Sequence, residues 1–397
     1  MKENNHKDIV IIGAGITGLT LAFYLQKAGK SVALIDKADH VGGVIQTHHE
    51  NGFIFESGPN TAVLSNPELV ELFEDNEEAE LETANADAKK RWILKNNHFY
   101  ALPSGLLSGI TTPLFSVKDK LKILGEPWRK PGKDPHETLA GLVRRRMGKS
   151  FLDYAIDPFI SGIYAGDPEK LIPKYALPKL YNLEQNYGSF IKGAMQKKKE
   201  PKTERDLKAT KEVFSATNGL QNLTEAIAKN IGLEHIKLGV ENTFVEPQDK
   251  GFRTTWIKNN ETQTITSDKV VSTVAAPSIE KLLPFLDKKQ TKPITDLTYA
   301  KVVQVVFGFK HWNGRKLDAF GGLIPRLENR KVLGILFPSS IFKNRAPESG
   351  ALLSVFMGGM RHPEIIEQTD EALYELAQKT VEETLGANNQ PDMKHIF

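Results

Sequence analysis

The spacing of apolar positions changes period several times along the chain. Residues 9–12 form a short, wholly apolar run, as expected for a parallel strand covered on both faces. Residues 16–29 carry Leu19, Ala22, Leu25 and Gln26 at helical spacing and stop at Gly29, a common helix end. Residues 32–35 are a second apolar run, so the chain is expected to open with a βαβ unit. Residues 68–195 read as mostly helical, interrupted by Pro103, Pro113, Pro127 and Pro158. From residue 252 the pattern becomes strand-like. Residues 252–257, 269–274, 301–309, 332–337 and 351–356 are rich in Val, Ile, Phe and Thr, with turn signals at Asn259-Asn260 and Asn313-Gly314. No repeat or low-complexity tract interrupts this order.

Composition narrows the class. At 397 residues the chain is long enough for two or three domains, and 40% apolar with 25% charged residues marks it as globular. A net charge of +3 gives no basic footprint for nucleic acid. The absence of cysteine excludes disulfides, thiolate metal sites and a cysteine nucleophile, and fits a reducing cytoplasm. Residues 1–8 are polar and no apolar run reaches eighteen residues, so neither a signal peptide nor a spanning helix is expected. His48-His49 is the one histidine pair, and neighbours on a strand face opposite ways, so no metal site is expected. Residues 196–211 hold Lys197, Lys198, Lys199, Lys202, Arg205, Lys208 and Lys211 against three acids. Such a stretch reads as a solvated loop, or as a contact for anionic lipid or an acidic partner.

The clearest chemistry lies in Gly13-Ala14-Gly15-Ile16-Thr17-Gly18, a G-x-G-x-x-G between the expected strand and helix. The first glycine permits a tight turn, the second lets a pyrophosphate approach the backbone, and the third lets helix and strand pack closely. The helix N-terminus offers unpaired N–H groups to the phosphates. Asp36 ends the second strand, where a carboxylate accepts from ribose hydroxyls and repels a 2′-phosphate; Lys37 follows it. Gly42-Gly43, followed by Val44, then offer a second close backbone approach to the same dinucleotide, and the place of this glycine pair just past the ribose acid favours FAD over NAD. Gly58-Pro59-Asn60 adds a further turn, expected next to the flavin ring.

These residues resemble the flavin amine-oxidase superfamily and, within it, the protoporphyrinogen and coproporphyrinogen oxidases. Gly42-Gly43-Val44-Ile45-Gln46-Thr47 has Val where the broad superfamily often has Arg, and residues 52–60 follow the same version. More specific is Pro158-Phe159-Ile160-Ser161-Gly162-Ile163-Tyr164-Ala165-Gly166-Asp167-Pro168. A third match runs from Phe320-Gly321-Gly322-Leu323-Ile324-Pro325 through residues 333–337 to Arg345-Ala346-Pro347.

The resemblance implies an α/β fold: a Rossmann-type FAD-binding βαβ domain, a mixed-sheet substrate domain and a helical insertion. It divides the chain into a βαβ unit (1–67), a helical insertion with a membrane-facing surface (68–195), a basic loop (196–213), a return to the FAD domain (214–278) and a substrate-domain sheet (279–397). The late glycine-rich segment that returns to the flavin in the family is not found before Phe397, so the chain is expected to be partial and its hold on FAD is left open. The implied reaction removes six electrons from a porphyrinogen, with molecular oxygen as acceptor, in heme biosynthesis. Other flavin oxidases, and a non-catalytic binding protein on the same fold, are the alternatives.

The cofactor carries the redox chemistry, so no side-chain triad is required. By resemblance, Arg91 pairs with a propionate, Asn60 orients a pyrrole N–H, Leu323 and Phe337 flank the macrocycle, and the backbone at Val240 touches the adenine. Leucines and lysines of residues 101–125 imply peripheral attachment to the inner face of the cell membrane.

Overall fold

The computed structural model describes residues 5–397, apart from the side chains of Asp87 and Leu106; Met1–Asn4 of the polar leader lie outside the described residues. The chain forms two compact units. The first comprises Met1–His49, Ile54–Thr83 and Arg205–Tyr299, and the second Glu50–Phe53, Ala84–Glu204 and Ala300–Phe397. These limits depart from those expected in sequence. Residues 68–83 and 279–299 group with the nucleotide-binding end, and the basic stretch is divided at residue 205.

In the first unit, strand His6–Ile12 lies between Val32–Ile35 and Glu261–Ser272, parallel to both. Ile236–Lys237 extends the parallel side, while Phe252–Lys258 and Glu241–Pro247 add antiparallel strands at the other edge. The apolar runs have an immediate cause. Ile9 and Ile11 pack on one face with Leu19, Leu34 and Ile227, and Val10 and Ile12 pack on the other with Ile35, Val240 and Trp256. A strand covered on both sides has no polar face to show. Helix Ile16–Lys27 stops where the pattern indicated and packs against helix Gln221–Ile231.

The second unit holds a seven-stranded mixed sheet: Met393–Ile396, Val302–Phe309, Ala351–Gly358, Val332–Leu336, Gly321–Leu323, Arg91–Lys95 and His98–Ala101. The last two strands fall within the stretch expected to be helical. They form a hairpin around Asn96 and Asn97, both at positive φ, a turn that Asn tolerates and that matches strand twist. Paired residues share a sheet face. Trp92, Leu94, Phe99, Val305, Phe307 and Val355 therefore form one face, packed on Leu373, Ala377, Val381 and Leu385 of helix Asp370–Leu385. Arg91, Ile93, Tyr100, Leu323 and Leu336 belong to the opposite face.

Helices fill residues 106–197 as expected, with Pro113 between Leu106–Thr111 and Val117–Leu124. Their centre is charged. Arg146, fully buried, donates to Glu184 at 2.6 Å, to Glu126 at 2.7 Å and to the Gly188 carbonyl at 2.7 Å. Glu126 also accepts from Ser189 Oγ and the Phe190 and Ile191 N–H groups. Burial opposes ionisation of Glu126 and Glu184, but these donors and the arginines outweigh it and hold both carboxyls below their ordinary value.

Removing one member of such a network leaves buried charge unpaired, so Glu184→Leu should cost about 3–5 kcal/mol. Both carboxyls are depressed, so their contribution is complete above the ordinary value of 4.5 and is lost as pH falls through the lower folded values. Melting temperature against pH should fall below about 4 in the wild type, and Glu184→Leu should flatten that slope.

Candidate functional site

At the end of strand His6–Ile12 the chain turns through Gly13, whose φ is +113°. A Cβ there would overlap Thr273 Oγ1, and a Cβ on Gly18 would overlap the Gly13 carbonyl oxygen. Both glycines are thus demanded by the fold itself. Gly15 is different. Its backbone (φ −71°, ψ 174°) suits any residue, and the nearest atom to an ideal Cβ is the Gly43 Cα at 4.0 Å. A Cβ would fill a space that the protein leaves open beside the N-terminus of helix Ile16–Lys27. That terminus has no acidic residue in its first turn, so its N–H groups and positive potential face that space unopposed. The residues present fit a dinucleotide pyrophosphate.

Asp36 stands where the pattern placed it and has a second task. Its Oδ2 accepts from the Ala14 N–H at 2.5 Å and its Oδ1 from the Ala38 N–H at 2.8 Å. The acid therefore ties the glycine turn to the second strand, and each oxygen keeps a lone pair for a ribose hydroxyl. Lys37 is exposed. Val240 is buried, and its N–H donates to the Asp36 carbonyl at 3.2 Å.

The second glycine pair abuts the first. Gly42 N–H donates to the Ala14 carbonyl at 2.9 Å, Gly15 and Gly42 form a bridge, and a Cβ on Gly43 would lie 3.2 Å from Gly15 Cα. Gly42 is also confined by Thr224, whose hydroxyl would be 2.7 Å from its Cβ. Val44 is 74% exposed, and its carbonyl lies so close to Gly58 that no side chain fits there. Pro59 is exposed; Asn60 is half-buried and donates from Nδ2 to the Gly58 carbonyl at 3.0 Å. Gly13 through Gly18, Asp36, Gly42, Gly43, Gly58, Asn60 and Val240 are thus gathered in one unit.

The substrate candidates divide differently. Arg91 and Leu323 share a sheet face in the second unit. Arg91 stacks over the Phe320 ring at 4.6 Å and donates to the Lys89 carbonyl at 3.4 Å. Burial lowers its pKa, and among the described side chains no carboxylate pairs with it. The methyl end of Leu323 lies against Gly162, where any Cβ would overlap it. That glycine belongs to the specific motif, and helix Asp157–Tyr164 uses it to seat on the sheet.

Phe337, expected to flank the macrocycle, is instead wholly buried on the other side, with its ring 5.5 Å from that of Trp92. A side chain with no exposed surface cannot meet a ligand without repacking the core. Leu336, one position earlier and partly exposed, shares the face of Arg91, because pairing with Gly321 fixes the alternation.

Sequence reasoning missed four contributors. Thr273 Oγ1 lies 3.1 Å from the Ile12 carbonyl and 3.2 Å from the Gly13 carbonyl, joining the last parallel strand to the glycine turn. Gln46 Nε2 donates to the Gly43 carbonyl at 3.3 Å, and Thr47 and Glu56 bond to each other at 2.8 Å. Thr273 stands at the end of an expected strand, and Gln46, Thr47 and Glu56 lie within the segments that carry the resemblance, but the pattern gave none of them a role. Among the described residues no group of three or more His, Asp or Glu is placed to hold a metal.

Comparison with known proteins follows the same lines. The family model described as flavin containing amine oxidoreductase matches residues 16–396. Protoporphyrinogen oxidase 1, chloroplastic, of Arabidopsis thaliana is 32% identical over 409 residues, covering 97% of this chain and 75% of the relative. Coproporphyrinogen III oxidase of Bacillus subtilis (strain 168) is 27% identical over 414 residues, covering 98% and 86%. A solved structure from Exiguobacterium sp. 255-15, provisionally named a protoporphyrinogen oxidase, superimposes with a TM-score of 0.79 at 22% identity, covering 98% of this chain and 85% of that one, and so shares the fold.

The open space at Gly15 gives a test. Gly15→Val should leave the fold and melting temperature of the cofactor-free protein nearly unchanged, because its Cβ comes no nearer than 4.0 Å to its closest neighbour, the Gly43 Cα. It should abolish flavin binding, read from the visible spectrum. A fully flavinated Gly15→Val protein would refute this account of the glycine.

Proposed function

The chain belongs to the flavin containing amine oxidoreductase family, and from that premise we propose that it oxidises a porphyrinogen, protoporphyrinogen IX, to the porphyrin with molecular oxygen as final acceptor. The cofactor is FAD, held by the first unit, and when bound it supplies the two-electron chemistry. The chain's own residues bind, orient and shield. Gly15 and Gly42-Gly43 keep the backbone open to the pyrophosphate, and Asp36 is set to take the ribose hydroxyls.

The observation that carries the substrate class is Arg91. A partly buried guanidinium without a carboxylate partner is poised for an anionic group brought by a ligand, and its planar fork grips a carboxylate at two points. Leu323 and Leu336, on the same face and partly exposed, offer apolar surface for a macrocycle. The names of the plant and Bacillus relatives point to the same class.

Peripheral membrane contact is part of the proposal. No helix among the described residues is long and apolar enough to cross a membrane. Leu107, Ile110, Val117, Leu121, Leu124 and Trp128 are all more than half exposed. Leu114 and Phe115 of the same segment are core residues. Two lysines of the segment are held by backbone: Lys120 donates to the Ile110 and Thr112 carbonyls and Lys122 to the Arg144 carbonyl. Lys118 remains exposed.

Flavinated protein should convert protoporphyrinogen IX to fluorescent porphyrin while consuming oxygen. Flavinated protein with no turnover would favour the binding-protein alternative. Arg91→Ala should weaken porphyrin binding by about 1.5–3 kcal/mol, the worth of a charged hydrogen bond, without altering the flavin spectrum; unchanged affinity in a fluorescence titration would remove Arg91 from the site.

For the membrane, flotation with anionic vesicles at low salt should carry the protein upward, and Leu121→Glu with Leu124→Glu should abolish it. Wild-type protein left in the soluble fraction would end this part of the proposal, because low salt screens attraction least.

A further inference from the structure

Glu56 lies in the turn motif Glu56-Ser57-Gly58-Pro59-Asn60, and its side chain is only 5% exposed. Its Oε2 accepts from the Thr47 hydroxyl at 2.8 Å and its Oε1 from the Leu220 N–H at 2.9 Å. Leu220 is the N-cap of helix Gln221–Ile231, so a buried carboxylate sits at that helix's positive end. Thr47 and Gln221 exchange two more bonds. The Thr47 N–H donates to Gln221 Oε1 at 2.9 Å, and the Gln221 N–H donates to Thr47 Oγ1 at 3.1 Å. The threonine hydroxyl thus gives its one proton to Glu56 and takes one bond from the Gln221 N–H.

Each end of this cluster runs directly into a glycine segment of the nucleotide site. Thr47 follows Gln46, whose side chain holds the Gly43 carbonyl. Glu56 precedes Ser57, whose N–H donates to the Gln46 carbonyl at 3.1 Å, and Gly58, which presses on the Val44 carbonyl. The helix capped by Glu56 also carries Thr224, the residue that confines Gly42.

We infer that Glu56 is a positioning residue for the nucleotide site, acting through Thr47 and the N-terminus of helix Gln221–Ile231 to hold Gly42-Gly43 against Gly15. The inference rests on the FAD reading above and deepens it. Hydroxyl and carboxylate are both required: the hydroxyl to link loop and helix, the carboxylate to accept from both. Gln at position 56 keeps an acceptor for Leu220 and should act as a partial substitute.

The test measures FAD dissociation constants of the full chain after flavin removal, with the melting temperature of the stripped protein recorded beside them. Thr47→Val and Glu56→Ala should weaken FAD about ten-fold or more, the usual effect of losing a hydrogen bond to a charged group. Thr47→Ser should restore wild-type affinity and Glu56→Gln should fall between. Should Glu56→Ala fail to fold, Thr47→Val and Thr47→Ser decide the matter. Unchanged FAD affinity of the folded fraction, even with a lower melting temperature, would reduce Glu56 to a structural residue and overturn the inference. Wild-type protein that takes up no FAD would overturn the cofactor reading itself, and the inference with it.

Discussion

The approach of helix Ile16–Lys27 to the strand before it leaves no room for a side chain at Gly18, because a Cβ would overlap the carbonyl oxygen of Gly13. From that closeness the rest of the nucleotide end follows. The helix N-terminus is brought over the strand's end, Asp36 reaches the Ala14 N–H, and Gly42 reaches the Ala14 carbonyl. Asp36, Gly42 and Thr273 are thereby bonded to one turn. Gly15 is spared from this packing: an ideal Cβ there lies 4.0 Å from the Gly43 Cα, so the space beside the helix N-terminus stays open.

In the second unit, alternation along strands plays the comparable part. One register assigns Trp92, Phe99 and Phe307 to a dry core under helix Asp370–Leu385, and Arg91, Ile93 and Leu323 to the other face. A shift by one residue reverses the face. Phe337 shows the consequence. It follows strand Val332–Leu336 and turns into the core against Trp92, while Leu336 takes the outward position.

Charges are largely answered from within. The buried Arg146 is met by Glu126 and Glu184. The basic stretch finds part of its acidic partner in its own unit, where Arg205 pairs with Glu68 and Glu71, and Lys208 with Glu74, all on helix Pro67–Glu74. Such exposed pairs contribute little stability singly. Their significance is that a cationic run in sequence need not be a free cationic surface in the fold.

The βαβ opening, its glycines, Asp36 and the later strands were legible in the sequence, because each rests on local period or on a turn that only certain residues permit. The hairpin at Asn96-Asn97 carried a turn signal too, masked by the helical residues around it. Nothing local marked the roles of Glu56, Thr47, Gln46 and Thr224: a carboxylate beside a Gly-Pro turn looks the same whether it faces water or caps a helix more than 160 residues away. The sequence alone determined the βαβ opening, the later strands and where a dinucleotide can lie. Tertiary structure alone decided which side chains are spent on holding the site and which face of the sheet Arg91 shares, since pairing and burial depend on partners brought together only by folding.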